Sequence, residues 1–148
     1  MTLKISTGLR NAMLDTESLR DALDLGFVKV YSGTEPSDAD AAIGGGNTLL
    51  CTYSVSGGGT GLTLEAAAAS GVITKETTET WQGACVASGT ASFYRHVAPG
   101  DTGALSTTEA RIQGTCGLAG TGMVLSSLTF TLSATKTLPS YSIALPAS

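Results

Sequence analysis

The chain has 148 residues, the size of one ordinary domain and enough to bury a core without a metal or a disulfide. Charged residues make up 14% of it and the net charge is −4, against about 25% charged residues in an average soluble protein. The eight cations, Lys4, Arg10, Arg20, Lys29, Lys75, Arg95, Arg111 and Lys136, are scattered; nucleic acid and anionic membrane surfaces both call for clustered Lys and Arg, so neither is an expected partner.

Residues 6–25 carry the one helical pattern. Ser6 or Thr7 can accept a bond from an orphan backbone N–H as N-cap. Leu9, Ala12, Thr16, Leu19 and Leu23 follow three-then-four spacing with Met13 and Ala22 beside them, which puts an apolar stripe on one face. The pattern predicts a continuous helix, with a break at Asp15-Thr16 as the alternative. Gly26 is the expected C′ residue, free to take a positive φ.

From residue 27 onward short β runs alternate with Gly, Ser, Thr and Pro. Strands are expected at 27–31 and 48–55, where Leu49, Cys51, Tyr53 and Val55 alternate with polar residues. A turn-rich connection, 32–47, separates them. Further strands are expected at 62–64, 71–74, 109–116, 123–125, 128–132 and 138–145. Residues 80–88 and 90–97 look like a hairpin joined near Gly89. The expected fold is mainly β: an antiparallel β-sandwich or jelly-roll-like domain with one N-terminal helical segment. A single domain covers 1–148, with 1–26 helical and 27–148 the sandwich.

Cys51, Cys85 and Cys116 are an odd number and are expected to be free, buried thiols. No zinc-like Cys/His spacing occurs. The first residues lack the apolar run of a signal peptide and no stretch is long enough to span a membrane, so synthesis and first use in a cytoplasm are expected.

Chemical equipment is sparse. His96 is the one histidine, no G-x-S-x-G elbow accompanies it, and it is expected as an exposed strand residue. Glu35, Asp38 and Asp40 form a small acidic loop without EF-hand spacing. The glycine runs 44–46 and 57–59 precede no Lys-Ser or Lys-Thr, so neither is a phosphate loop. Glu65, Glu76, Glu79, Asp101 and Glu109 offer carboxylates with no spacing that selects a pair. Trp81 lies within a strand and is expected as a core or interface anchor. No enzyme activity, cofactor or metal is expected.

What remains is surface character. A low-charge surface rich in Ser, Thr, Ala and Gly is poor at keeping molecules apart and suits a subunit of an assembly. Leu9, Met13, Leu19, Leu23 and Trp81 are the candidate interface residues.

Five segments carry a resemblance. They are Ile5-Ser6-Thr7-Gly8-Leu9-Arg10-Asn11-Ala12-Met13-Leu14, Phe27-Val28-Lys29-Val30-Tyr31-Ser32-Gly33-Thr34-Glu35-Pro36, Gly89-Thr90-Ala91-Ser92-Phe93-Tyr94-Arg95, Arg111-Ile112-Gln113-Gly114-Thr115-Cys116-Gly117 and Leu125-Ser126-Ser127. Their order resembles a group of small proteins encoded among the virion genes of tailed bacteriophages. The resemblance implies a non-enzymatic virion component made in the host bacterial cytoplasm. It would be a capsid decoration or cement protein, or else a neck, tail or fibre-attachment subunit. Its partners would be other virion proteins, capsid or neck and tail subunits, and copies of itself. A carbohydrate-binding sandwich is the alternative from another class; it would need exposed aromatics around Trp81 and Tyr94.

Overall fold

A computed structural model of the chain describes residues 3–145. Strand β1 (Lys4–Ile5) leads into helices α1 (Thr7–Asp15) and α2 (Leu19–Leu23). Then come β2 (Phe27–Ser32), β3 (Thr48–Val55), β4 (Val72–Thr74), β5 (Trp81–Ala84), β6 (Gly89–Thr90) and β7 (Phe93–Val97). β8 (Arg111–Gly117), β9 (Met123–Val124), β10 (Thr129–Phe130), β11 (Thr135–Leu138) and β12 (Ser142–Ala144) complete the described chain. The fold is mainly β, antiparallel and sandwich-like, with a helical segment at its N-terminal end.

The main sheet runs β1-β8-β7-β2-β3-β5-β11 with every neighbour antiparallel, and β9 joins β8 in parallel. Two small sheets, β6-β10 and β4-β12, lie apart from it. Strand β3 occupies the span its alternation predicts, with Cys51 and Tyr53 buried on the core face, while a register shift against β2 at Val30 and Tyr31 also buries Leu50. Val28, Val30, Cys51, Tyr53, Tyr94 and Ile112 enter one apolar cluster with Trp81, Leu138, Tyr141 and Ile143.

The helical segment is two helices rather than one. Ser6 caps α1, its Oγ accepting from the Leu9 N–H at 3.1 Å. Thr16 ends that helix, both its own N–H and that of Glu17 donating to the Ala12 carbonyl. Ser18 then starts α2, its Oγ accepting from the Asp21 N–H at 3.1 Å and donating to the Asp21 carboxylate at 2.8 Å. A second N-cap in the middle of the stripe supplies a better ending than β-branched Thr16 supplies a continuation.

Gly26 is needed for a reason other than the one expected. Leu25 takes the left-handed conformation, with φ 57°. Gly26 instead lies against β7, where a Cβ would stand 2.2 Å from the Val97 carbonyl oxygen.

The expected hairpin at Gly89 does not form. β5 pairs with β3 and β11, whereas β7 pairs with β2 and β8. Gly89 itself belongs to β6, opposite β10. Residues 62–64 make only isolated bridges, Leu62 to Gly26 and Leu64 to Lys75. The run 138–145 is divided, Leu138 closing β11 and Ser142 opening β12.

Candidate functional site

Strand β7 is buried along its whole length, because both faces of the sheet are covered. One face meets the apolar core. Over the other, the segments 33–47 and 98–110 close as a lid, and under that lid lies the densest group of polar side chains in the fold.

Cross-strand register builds it. Lys29 on β2 stands opposite Arg95 on β7, Arg95 opposite Gln113 on β8, and Gln113 opposite Lys4 on β1. Cross-strand partners share a face, so the four form one row. Arg95 donates from Nε to Gln113 Oε1 at 2.7 Å and from Nη2 to the Ala41 carbonyl at 2.7 Å. Beside the row, Arg111 makes a two-pronged contact with Asp101, Nε to Oδ2 at 2.5 Å and Nη2 to Oδ1 at 2.8 Å. It also donates to the carbonyls of Ala39, Asp40 and Ala104. Burial alone would raise the Asp101 carboxyl. The bonds and charge of Arg111, with the Gly103 N–H, outweigh it and hold the carboxyl below its ordinary range. Burial and the nearby Arg111 charge both push Arg95 down. The guanidinium groups bind backbone carbonyls of the lid, so their chemistry is that of a clamp.

The acidic loop is part of this clamp. Glu35 pairs with Lys4 at 3.1 Å. Asp38 accepts from the Ala41 N–H at 2.8 Å. Asp40 accepts from the Thr7 N–H at 2.8 Å and the Thr7 hydroxyl at 2.6 Å, tying the lid to the start of α1. Among the described residues no three His, Cys, Asp or Glu side chains gather as metal ligands.

His96 lies on the apolar face and is fully buried, not exposed as expected. Its Nδ1 is 3.1 Å from the Tyr141 hydroxyl, and its Nε2 has no partner among the described residues. Trp81 and Tyr141 meet the imidazole edge-on, with ring centroids 6.3 Å and 5.5 Å away. Burial pushes the imidazole down to about 3, so it is neutral at neutral pH.

The candidate interface residues prove to belong to the chain's own interior. Leu9, Leu23 and Trp81 are buried, Leu19 is nearly so, and Met13 packs half-buried against the same cluster. Helix α1 docks on β8 through Ser6, whose Oγ donates to the Glu109 carbonyl at 2.7 Å and accepts from the Arg111 N–H at 2.9 Å. The stripe is therefore filled by this chain's own sheet. Trp81 donates to Glu79 at 2.7 Å, with the Lys75 ammonium 5.7 Å from its ring. Leu19 alone also lines a surface hollow of about 300 Å³, shared with Ala66, Ala68, Ile73, Ile143 and Leu145. A second groove, of about 510 Å³, is lined by Thr74, Thr77, Ser140, Ser142 and Lys75, with Tyr141 at its floor.

The three cysteines are free and buried. Burial, and for Cys51 the neighbouring Cys85, push the thiols of Cys51 and Cys116 up to about 12.

Comparison with protein-family models, with curated proteins and with solved structures gives no match. The geometry and the residues carry the functional reading. No helix among the described residues is long and apolar enough to cross a membrane.

The polar row escaped the sequence because period-two alternation assigns polar positions to solvent. The only hint was the connection 32–47, long for a link between adjacent strands and long enough to fold back over them.

Proposed function

We propose that the chain is a non-enzymatic structural component of a tailed-phage virion, and within that class a capsid decoration protein. The observation that carries this reading is where the reactive side chains go. Arg95, Arg111, Asp101 and Gln113 are enclosed and engaged in holding strands and lid together, and His96 is enclosed in the apolar core against Tyr141. The outward surface is rich in Ser, Thr, Ala and Gly, with a few charged side chains such as Arg10, Asp15 and Glu17 and isolated apolar ones such as Leu14 at 86% and Leu105 at 75% exposure. Such a surface favours close packing against other subunits. The resemblance of the five ordered segments to phage virion proteins supports the same reading. It brings with it a virion location, assembly in the host cytoplasm, and partners among capsid proteins and copies of this chain.

A neck, tail or fibre-attachment subunit shares these features and differs in copy number. The carbohydrate-binding alternative loses its support, since Trp81 and Tyr94 are buried and give no aromatic platform. Quantitative mass spectrometry of purified particles tests the proposal. Hundreds of copies per particle are expected; a small ring number would assign the chain to the neck or tail. Absence from purified particles would overturn the virion reading.

A further inference from the structure

The end of the polar row holds three groups in an arrangement that a clamp alone does not require. Lys4 and Gln113 are directly opposite residues of β1 and β8. The Lys4 Nζ lies 3.1 Å from Glu35 Oε1 and donates to the Pro36 carbonyl at 2.9 Å. The Gln113 Nε2 donates to the same Glu35 oxygen at 3.2 Å and to the same Pro36 carbonyl at 2.8 Å. An amine and a carboxamide nitrogen thus converge on one pair of acceptors. The orientation of the carboxamide is settled by its neighbours: Arg95 Nε can only donate, so it faces Oε1, and the Pro36 carbonyl can only accept, so it faces Nε2. The Gln113 side chain is fully buried, and Lys4 and Glu35 are 26% and 18% exposed.

We propose that Lys4 and Gln113 form an intramolecular isopeptide bond, with Glu35 as the proton carrier and Arg95 as the oxyanion donor. Glu35 takes one proton from the Lys4 ammonium. The freed Nζ electron pair attacks Gln113 Cδ, and the carbonyl π electrons move onto Oε1, where the Arg95 N–H already stands at 2.7 Å. A charged donor held at that oxygen favours the tetrahedral state over the amide. Glu35 then passes its proton to Nε2 and receives the second Nζ proton. The carbonyl re-forms, the Cδ–Nε2 bond breaks, and ammonia departs, leaving as ammonium with the proton that Glu35 last received. One secondary amide replaces one primary amide, with no change of oxidation state and no co-reactant. Positioning supplies much of what an amide needs to react with an amine, and a carboxylate within bonding distance of both nitrogens supplies the proton transfers. The product fastens the two-residue edge strand β1 to β8.

The test is the mass of the denatured full chain, followed by tandem mass spectrometry of its proteolytic peptides. The expected result is a chain lighter by one ammonia and a branched peptide joining the Lys4 and Gln113 segments. Lys4→Arg, which keeps the charge and the strand, is expected to show the full mass and no branched peptide. A wild-type chain of full mass without the branched peptide, after prolonged incubation at neutral pH, would overturn the proposal. So would loss of ammonia from Lys4→Arg. Glu35→Gln, checked for folding by circular dichroism, is expected to stay unjoined; a joined and folded Glu35→Gln chain would overturn the role given to the carboxylate.

Discussion

Protonating His96 in the folded chain would put a charge among Trp81 and Tyr141 with no anion beside it. The folded imidazole therefore binds its proton only near pH 3, whereas an unfolded one binds near pH 6.5. The depressed value means that this group's contribution to stability is complete above about pH 6.5 and shrinks as pH falls toward 3. Its slope approaches about 1.4 kcal/mol per pH unit. Urea unfolding between pH 6.5 and 5, above the carboxylate range, should show this loss. His96→Gln, which can still bond Tyr141, should flatten it; an unchanged slope would assign the proton to another group. Asp101 acts in the same direction at lower pH, its carboxyl being held down by Arg111. Asp101→Asn leaves the Arg111 guanidinium buried without its anion, and the expected loss is about 3–5 kcal/mol, read as a lower Tm. The thiols give a third check. With Cys51 and Cys116 pushed up to about 12 and all three cysteines buried, a thiol-specific reagent should label none of them in the native chain and all of them in denaturant. Rapid labelling of the native chain would mean that the sheet opens readily.

The helices and strands differ in how far they were legible. The span of β3 was legible because alternation is a local property, but its burial was not: Leu50 and Ser54 are buried beside Cys51 and Tyr53, and a register shift opposite Val30 and Tyr31 interrupts the period. The two-helix start was legible only as an alternative. Ser18 and Asp21 lie three apart, a capping arrangement that the sequence reading did not use, because the apolar spacing runs through them uninterrupted and masks it. The order of strands was not legible at all. β5 and β7 are separated in the chain only by the two-residue β6 yet lie apart in the sheet, with β2 and β3 between them, and nothing in the periodicity of either strand records its partner. The interface stripe was misplaced for a related reason: an apolar helix face shows that it must be covered, not which surface covers it. Since Leu9 is buried on the chain's own sheet, Leu9→Ala should destabilise the isolated protein by about 2–5 kcal/mol. Leu14→Ser, on the exposed side of α1, should change stability by less than about 0.5 kcal/mol. Equal effects in thermal melts would remove α1 from the core. Gly26→Ala forces a Cβ toward the Val97 carbonyl and should cost about 1–3 kcal/mol or more.

At the scale of the molecule, the lid is what makes a sheet with charged residues on one face into a closed body. Arg95 and Arg111 hold 38–41 and 104 by backbone carbonyls, so the lid is fastened by groups that substitution of its own side chains does not remove. Substitutions at Leu14, Val86, Leu105 and Leu132, all exposed, should accordingly leave melting unchanged; on the proposed virion role, any that lowers the copy number in purified particles marks the contact surface. The bond between Ser6 and Arg111 spans 105 positions of the chain, and among the described residues β1 pairs with β8 alone. During translation, at about 5–20 residues per second, the first strand and the cap of α1 must therefore wait roughly 5–20 seconds for β8 to leave the ribosome. Over that interval Leu9 has no sheet beneath it, and the nascent chain presents to its surroundings the same apolar stripe that the finished protein hides. Crowded polysomes are where this chain is most exposed to association with its own copies, and a binder of nascent chains would find its target among the first 25 residues.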